Sequence, residues 1–364
     1  MEDRQLNSVK KVYLNSKNKK NMMLITLFIA SLVVLFYSLT IGTAKMSLSD
    51  FLKILLGKFI DGIDTSTIND YELNSYIIFS VRLPRILLAF LAGFSLGGAG
   101  VVMQGIFRNP LASPFTLGVS NGAAFGAAMA IVLGTSIFKF KVQSFPVLIA
   151  VNAFIFGCVS LFLVYLIGRI KGGSTTVLLL AGVAVGSLFS AGVSVLKYFS
   201  SNEALRDLDT WLMGGFWGAN YKNITLLFPL IAICTIILIK ISWDLNALLS
   251  GEDVALTLGI DVKKVVVISL LIVTLMASGV IAFTGVIGFI GLVAPHISRS
   301  FIGTDNRYLI LCSCLLGGIL LLISDTISRT IISPIEIPVG IITSLIGAPF
   351  FIYILIKKDS ISYE

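Results

Sequence analysis

Nine stretches of at least 17 residues without a single Asp, Glu, Lys or Arg run through this 364-residue chain: 22–44, 86–107, 109–138, 142–168, 172–196, 223–239, 265–298, 308–324 and 337–356. A helix needs about 20 apolar residues to cross a bilayer, and in lipid every backbone amide must find its partner within the segment. Runs of this length therefore commit the chain to membrane-crossing helices. Charged residues are only 13% of the total and mean hydropathy is +0.98, which excludes an ordinary soluble domain.

The run 265–298 is too long for one crossing and carries Gly279, Gly285, Gly288, Gly291 and Pro295. This pattern predicts one full helix, a tight reversal near Thr284 and a short return helix. Basic residues accumulate on the cytoplasmic side of membrane proteins. With ten crossings and a cytoplasmic N-terminus, 16 of the 27 Lys and Arg fall on that side and 11 outside; nine crossings give 13 against 14. The expected fold is thus an all-α polytopic membrane protein with ten transmembrane helices. It has a basic cytoplasmic N-terminus over 1–21, a transmembrane body over 22–357, a cytoplasmic tail over 358–364 and an acidic external loop over 47–74.

Lys10, Lys11, Lys17, Lys19 and Lys20 precede the first apolar run, as in a secretory signal, but that run exceeds the 7 to 15 residues of a signal's apolar region. A retained first helix is expected. Cys158, Cys234, Cys312 and Cys314 all lie inside apolar runs and read as small packing residues.

Between two long apolar runs lies a polar stretch, LNALLSGEDVALTLGID, from Leu245 to Asp261. Ser250 three residues before Asp253 reads as a capping box, and Gly259 suits a left-handed C-cap. Two short helices around a sharp turn follow, an elbow too short to be stable alone in water. Leu248, Leu249, Val254, Ala255 and Leu258 then need an outside surface, and Gly251 permits close backbone approach. A soluble partner is expected to dock there.

Ionisable groups at membrane depth mark ion-coupled carriers, and here Asp325 is the only acid close to a helix interior, four residues before Arg329 and so placed for a local ion pair. A secondary carrier fits poorly. A lone histidine, His296, builds no metal site and reads as structural, while catalytic sets of buried His, Asp or Cys are missing. No GxxxxGK[ST] sequence is present to cradle a triphosphate. The chain is expected not to be an enzyme, to bind no cofactor and no nucleic acid, and to draw any energy from a partner.

Five segments carry a resemblance: RLPRILLAFLAGFSLGGAGVVMQGIFRNPLASPFTLGVSNGAAFGA (Arg82–Ala127), VLLLAGVAVG (Val177–Gly186), LSGEDVALTLGID (Leu249–Asp261), GVIGFIGLVAPHISR (Gly285–Arg299) and EIPVGIITSLIGAPFF (Glu336–Phe351). In this order and spacing they resemble the FecCD family of permeases, the membrane subunits of ATP-binding-cassette (ABC) importers for iron chelates, haem and cobalamin. The resemblance implies the type II importer fold in a bacterial or archaeal cytoplasmic membrane, with both termini cytoplasmic. It further implies a second permease subunit, identical or related, two ATPase subunits carrying ATP and Mg, and an extracytoplasmic substrate-binding protein. An iron-siderophore chelate is the expected cargo, with cobalamin or haem as alternatives.

Residue roles follow from the same resemblance. Arg82, Arg85 and Arg329 match arginines that receive acidic residues of the binding protein. Pro84 suits a first helical position, which puts Arg85 in a first turn where a cation opposes the helix dipole. Interfacial snorkelling explains such arginines equally well. Leu248, Ser250, Gly251, Glu252, Ala255 and Leu258 match the segment inserted into the ATPase. Small residues on the fifth helix, among them Gly182, Gly186 and Ser190, more often mean close packing than a pore wall. The resemblance assigns them to the translocation pathway, with Thr175 and Thr176 at its cytoplasmic constriction.

Overall fold

The computed structural model describes residues 2–42, 46–58, 60, 68, 70–134, 145–171 and 174–356. Helix α1 spans Glu2–Thr40, so the basic segment over 1–21 is helical from Glu2 onward and continuous with the first apolar run. The expected loop over 47–74 holds helix α2, Leu48–Gly57. Ser47 caps it by accepting from the Asp50 amide at 3.1 Å, and its Phe51 and Ile54 are buried.

Helix α3 (Tyr71–Tyr76) passes through a π-helical turn at Ile77–Arg82 directly into α4 (Leu83–Phe107), giving one helix of 37 residues. The helix start expected at Pro84 is therefore corrected. Proline removes one amide donor and crowds the carbonyl four residues back, and the wider turn just upstream absorbs that misfit without ending the helix. Arg85 consequently faces no helix N-terminus.

The remaining helices are α5 (Val119–Leu133), α6 (Phe145–Ile170), α7 (Thr175–Tyr198), α8 (Asn202–Met213) and α9 (Tyr221–Lys240). After the elbow, α10 (Ser242–Leu249) and α11 (Glu252–Thr257), come α12 (Val262–Thr284), α13 (Ile290–Ile302), α14 (Asn306–Thr330) and α15 (Val339–Ile356). The run 265–298 divides as its glycines predict, with α12 ending at Thr284 and Gly285 turning the chain at φ +68°.

Among the described residues seven helices are long and apolar enough to cross a membrane, while α5 and α15 are shorter apolar helices and α13 has 13 residues. The expected ten crossings thus need all three short helices to traverse. The tail over 358–364 lies outside the described residues.

Helix α4 sits at the centre with nearly every residue from Ala92 to Phe107 buried, because its glycines let α13 and α14 approach backbone to backbone. A Cβ on Gly93 would overlap the Gly317 carbonyl oxygen of α14, one on Gly97 the Ser313 carbonyl and one on Gly100 the Gly291 carbonyl of α13. Without a hydrophobic force between helices in lipid, such close contact is a principal source of cohesion. Helix α1 runs along α14 as well, and Ser38 and Thr326 share a hydrogen bond of 2.7 Å. Cys312 and Cys314 point to different neighbours, Cys314 packing on Gly98, and both are fully buried.

Candidate functional site

Two regions at opposite ends of α14 gather the polar chemistry. At its N-terminal end, here the elbow face, the chain turns through α10 and α11. Gly251 occupies φ +131°, a conformation that side chains rarely adopt, and Gly259 at φ +80° closes α11 with an amide from Ile260 reaching the Ala255 carbonyl at 3.0 Å. The expected capping box does not form. Ser250 ends α10 instead, and the N-cap of α11 is Gly251, which has no side chain to cap with.

The elbow has two chemically distinct faces. Leu248 and Ala255 are buried against the rest of the chain, with Leu245 beneath them, so they anchor the elbow and are not its outer contacts as expected. Ser250 and Glu252 are exposed, as are Val254, Leu256 and Leu258, the last at 65%. These exposed apolar side chains, on the six-residue α11 and its C-cap, are the part of the elbow that the rest of the described chain does not cover.

The elbow is fastened to the start of α14. Asn246 of α10 donates to Asp305 at 2.9 Å and accepts from the Asn306 amide at 2.8 Å. Arg307 pairs with Asp305 at 2.6 Å and stacks over the Trp243 ring at 4.1 Å, and Lys20 of α1 approaches Asp305 at 3.6 Å. Partial burial alone would raise the Asp305 pKa, but the hydrogen bonds from Arg307 and Asn246 hold it well below the ordinary carboxylate range. Asp305 therefore stays ionised throughout the neutral range. Nearby, Arg299 hydrogen-bonds Gln104 of α4, and the His296 ring lies edge-on to Phe350.

At the far face, α14 ends in a buried charge cluster. Asp325, with no exposed surface, accepts from Arg85 Nε at 2.9 Å and from Arg329 Nε at 3.0 Å, the i,i+4 pair read from the sequence. Arg85 also donates to Glu336 at 2.7 Å, and Glu336, 27% exposed, is the cluster's opening to the surface. Arg329 reaches Ser38 Oγ at 2.9 Å and the Ile41 carbonyl at 3.1 Å, while Arg82 donates to the Leu39 carbonyl at 2.9 Å. Sequence reasoning expected three surface arginines; the structure buries all three and gives them partners within the chain. The signal for this was Asp325, since a mid-depth acid needs more than one donor. Nothing in the sequence singled out Glu336.

On α7, Gly182 and Gly186 lie on the buried face. A Cβ on Gly182 would press on Thr116 and Leu117, and the Gly186 carbonyl accepts from Asn121 of α5 at 3.1 Å. They are packing residues and do not line an open surface. Thr176, Ser187, Ser190 and Ser194 are exposed, and Thr175 is half-buried at the helix start.

A multi-pass helical body with a polar elbow at one face is the form of a membrane permease, and comparison with known proteins gives the family. Residues 29–357 match the FecCD transport family. The chain belongs to that family. It is similar to a hemin transport system permease protein of Yersinia pestis, 36% identical over 91% of this chain and 96% of that one. A cobalamin import system permease protein of Halobacterium salinarum is 40% identical over 79% of this chain and 75% of that one, and a molybdate import system permease protein of Haemophilus influenzae is 37% identical over 86% and 89%. A solved structure of a metal-chelate type ABC transporter in an inward-facing conformation superposes with a TM-score of 0.80 at 34% identity, covering 93% of this chain and 99% of that one. The protein is thus an ABC-importer permease of the FecCD family.

Proposed function

We propose that the chain imports an iron chelate of the siderophore type across a bacterial or archaeal cytoplasmic membrane, driven by two separate ATPase subunits that bind ATP and Mg and grip the elbow. The carrying observation is the division of α10–α11 into a buried anchoring face and a bare apolar outer face. Ser250, Gly251 and Glu252 form its tip, with Leu256 and Leu258 beside them, and the elbow face is cytoplasmic. Leu248 and Ala255 serve this contact from beneath by fixing its position.

A second permease subunit, a copy or a relative, packs against the exposed apolar faces of α7 and α15, where Leu180 and Leu345 stand 65% and 67% exposed. Thr175, Thr176 and Ser190 then line the pathway, with Gly182 and Gly186 seating α7 behind them. The extracytoplasmic binding protein meets the far face. There Arg82, Arg85 and Arg329 lie together around the end of α14, a gathering of guanidinium groups that suits an acidic partner. Iron supports the cargo choice through relatives such as an iron chelatin permease of Helicobacter pylori, 34% identical; a cobalamin reading is favoured by the Halobacterium relative.

Two predictions test this. In the assembled transporter, Gly251→Trp places a bulky ring at a strained φ on the elbow tip, and we expect ATP-dependent uptake to fall at least tenfold while the permease still folds and inserts. Uptake at the wild-type rate would overturn the gripping reading. In the same vesicles, a ferric siderophore should accumulate with ATP and its purified binding protein, whereas hemin and cobalamin should not. Accumulation of any solute by the permease alone, without nucleotide, would mean a secondary carrier.

A further inference from the structure

Helix α14 touches both polar regions. Its 25 residues span about 37 Å at 1.5 Å per residue. At its first turn Asn246 joins it to the elbow through two hydrogen bonds, one to the Asp305 carboxylate and one from the Asn306 amide. Its last two turns carry Asp325 and Arg329; Asp325 holds Arg85 and, through Arg85, Glu336 of the following loop.

Between these ends α14 has little freedom to bend. Gly93 and Gly97 of α4 seat directly on the backbone at Gly317 and Ser313. Helix α1 is fastened at its middle, by Lys20 to Asp305, and near its C-terminal end, by Ser38 to Thr326 and Arg329. Backbone-on-backbone contact leaves no flexible side chains to absorb a displacement, so α4 and α14 must shift together or not at all, and α1 is tied to α14 by the polar contacts just named.

We propose that α1, α4 and α14 form a rigid lever, with the Asn246–Asp305 hydrogen bond as its joint to the elbow and the Asp325 charge cluster as its working end. The lever rests on the elbow-gripping reading above and names the route by which movement there reaches the opposite membrane face. Asn246 and Asp305 are positioning residues in this scheme, acting through α14. The test therefore breaks the joint and reads the far end.

In the assembled transporter, nitroxide labels at Tyr198→Cys on α7 and Ile332→Cys beyond α14, both exposed, report the separation of the far ends. Addition of ATP should change that separation, and Asn246→Ala should shrink the change to less than about a third. Asn246→Asp should do the same, since it sets two carboxylates together. Adding Asp305→Asn to Asn246→Asp restores one amide donor facing one carboxylate, with the roles exchanged, and should recover most of the change.

An ATP response of full size in Asn246→Ala, or no recovery in the exchanged pair, overturns the lever while leaving the gripping reading intact. Loss of the bound ATPase subunits from Asn246→Ala would reduce the joint to a docking element and also overturns it. No ATP response in the unaltered protein would instead count against the gripping reading, which the Gly251 variant tests independently.

Discussion

Asp325→Ala should destabilise the permease by about 3–5 kcal/mol, the cost of stranding buried charges when their partner is removed. The carboxylate is fully buried and its two oxygens take separate guanidinium groups, Arg85 on Oδ1 and Arg329 on Oδ2. Asp325→Asn should be nearly as damaging, because one acceptor becomes a donor aimed at an arginine. Glu336→Gln should cost far less, since Glu336 is 27% exposed and water can replace what it gives Arg85. Removing the three most buried members, with Asp325→Ala, Arg85→Met and Arg329→Met together, should recover much of the loss. Thermal denaturation of the purified proteins measures all four. Equal small effects at Asp325 and Glu336 would show that the cluster is hydrated and not the buried clamp described here.

The second large effect comes from the same substitution made at two glycines of one helix. Gly93→Ala drives a methyl into the Gly317 carbonyl of α14, a backbone atom that moves only if α4 and α14 separate. Overpacking of well-filled cores costs about 1–3 kcal/mol, and the rigid neighbour places this site at the upper end or beyond. Gly105→Ala, further along the same helix, meets nothing within 4 Å and should stabilise by about 0.5–1 kcal/mol through helix propensity. Opposite signs in the melting temperatures are the expected result; a neutral Gly93→Ala would mean the two helices are not in backbone contact.

Features that depend on local composition were legible in the sequence. The charge-free runs predicted the long helices, the glycines near Thr284 predicted the division of α12 from α13, and the elbow followed from its polar interruption and Gly259. The i,i+4 pair of Asp325 and Arg329 was legible for the same reason.

What failed depends on which way a side chain points once helices pack. Pro84 suggested a helix start, yet a π turn seven to two residues upstream carries the helix through it, a compensation that no propensity anticipates. Arg82 and Arg85 then moved from a helix entrance into a packed interior, where the carbonyls of Leu39 and Thr40 and the distant Asp325 and Glu336 receive them. Gly182 and Gly186 differ from Ser190 only by helical phase, and phase relative to an unknown neighbour is not written in a single helix. The elbow split likewise: spacing grouped Leu248 and Ala255 with Leu258, and only the fold separates the anchors from the outer row.

That separation makes the elbow a replaceable adaptor. Leu245, Leu248, Ala255 and Asn246 hold it to the membrane body and do not touch the surface the outer residues offer. On the gripping proposed above, exchanging Ser250, Glu252, Val254, Leu256 and Leu258 as a cassette for those of a related permease should redirect the chain to a foreign motor without asking the bilayer-embedded part to refold.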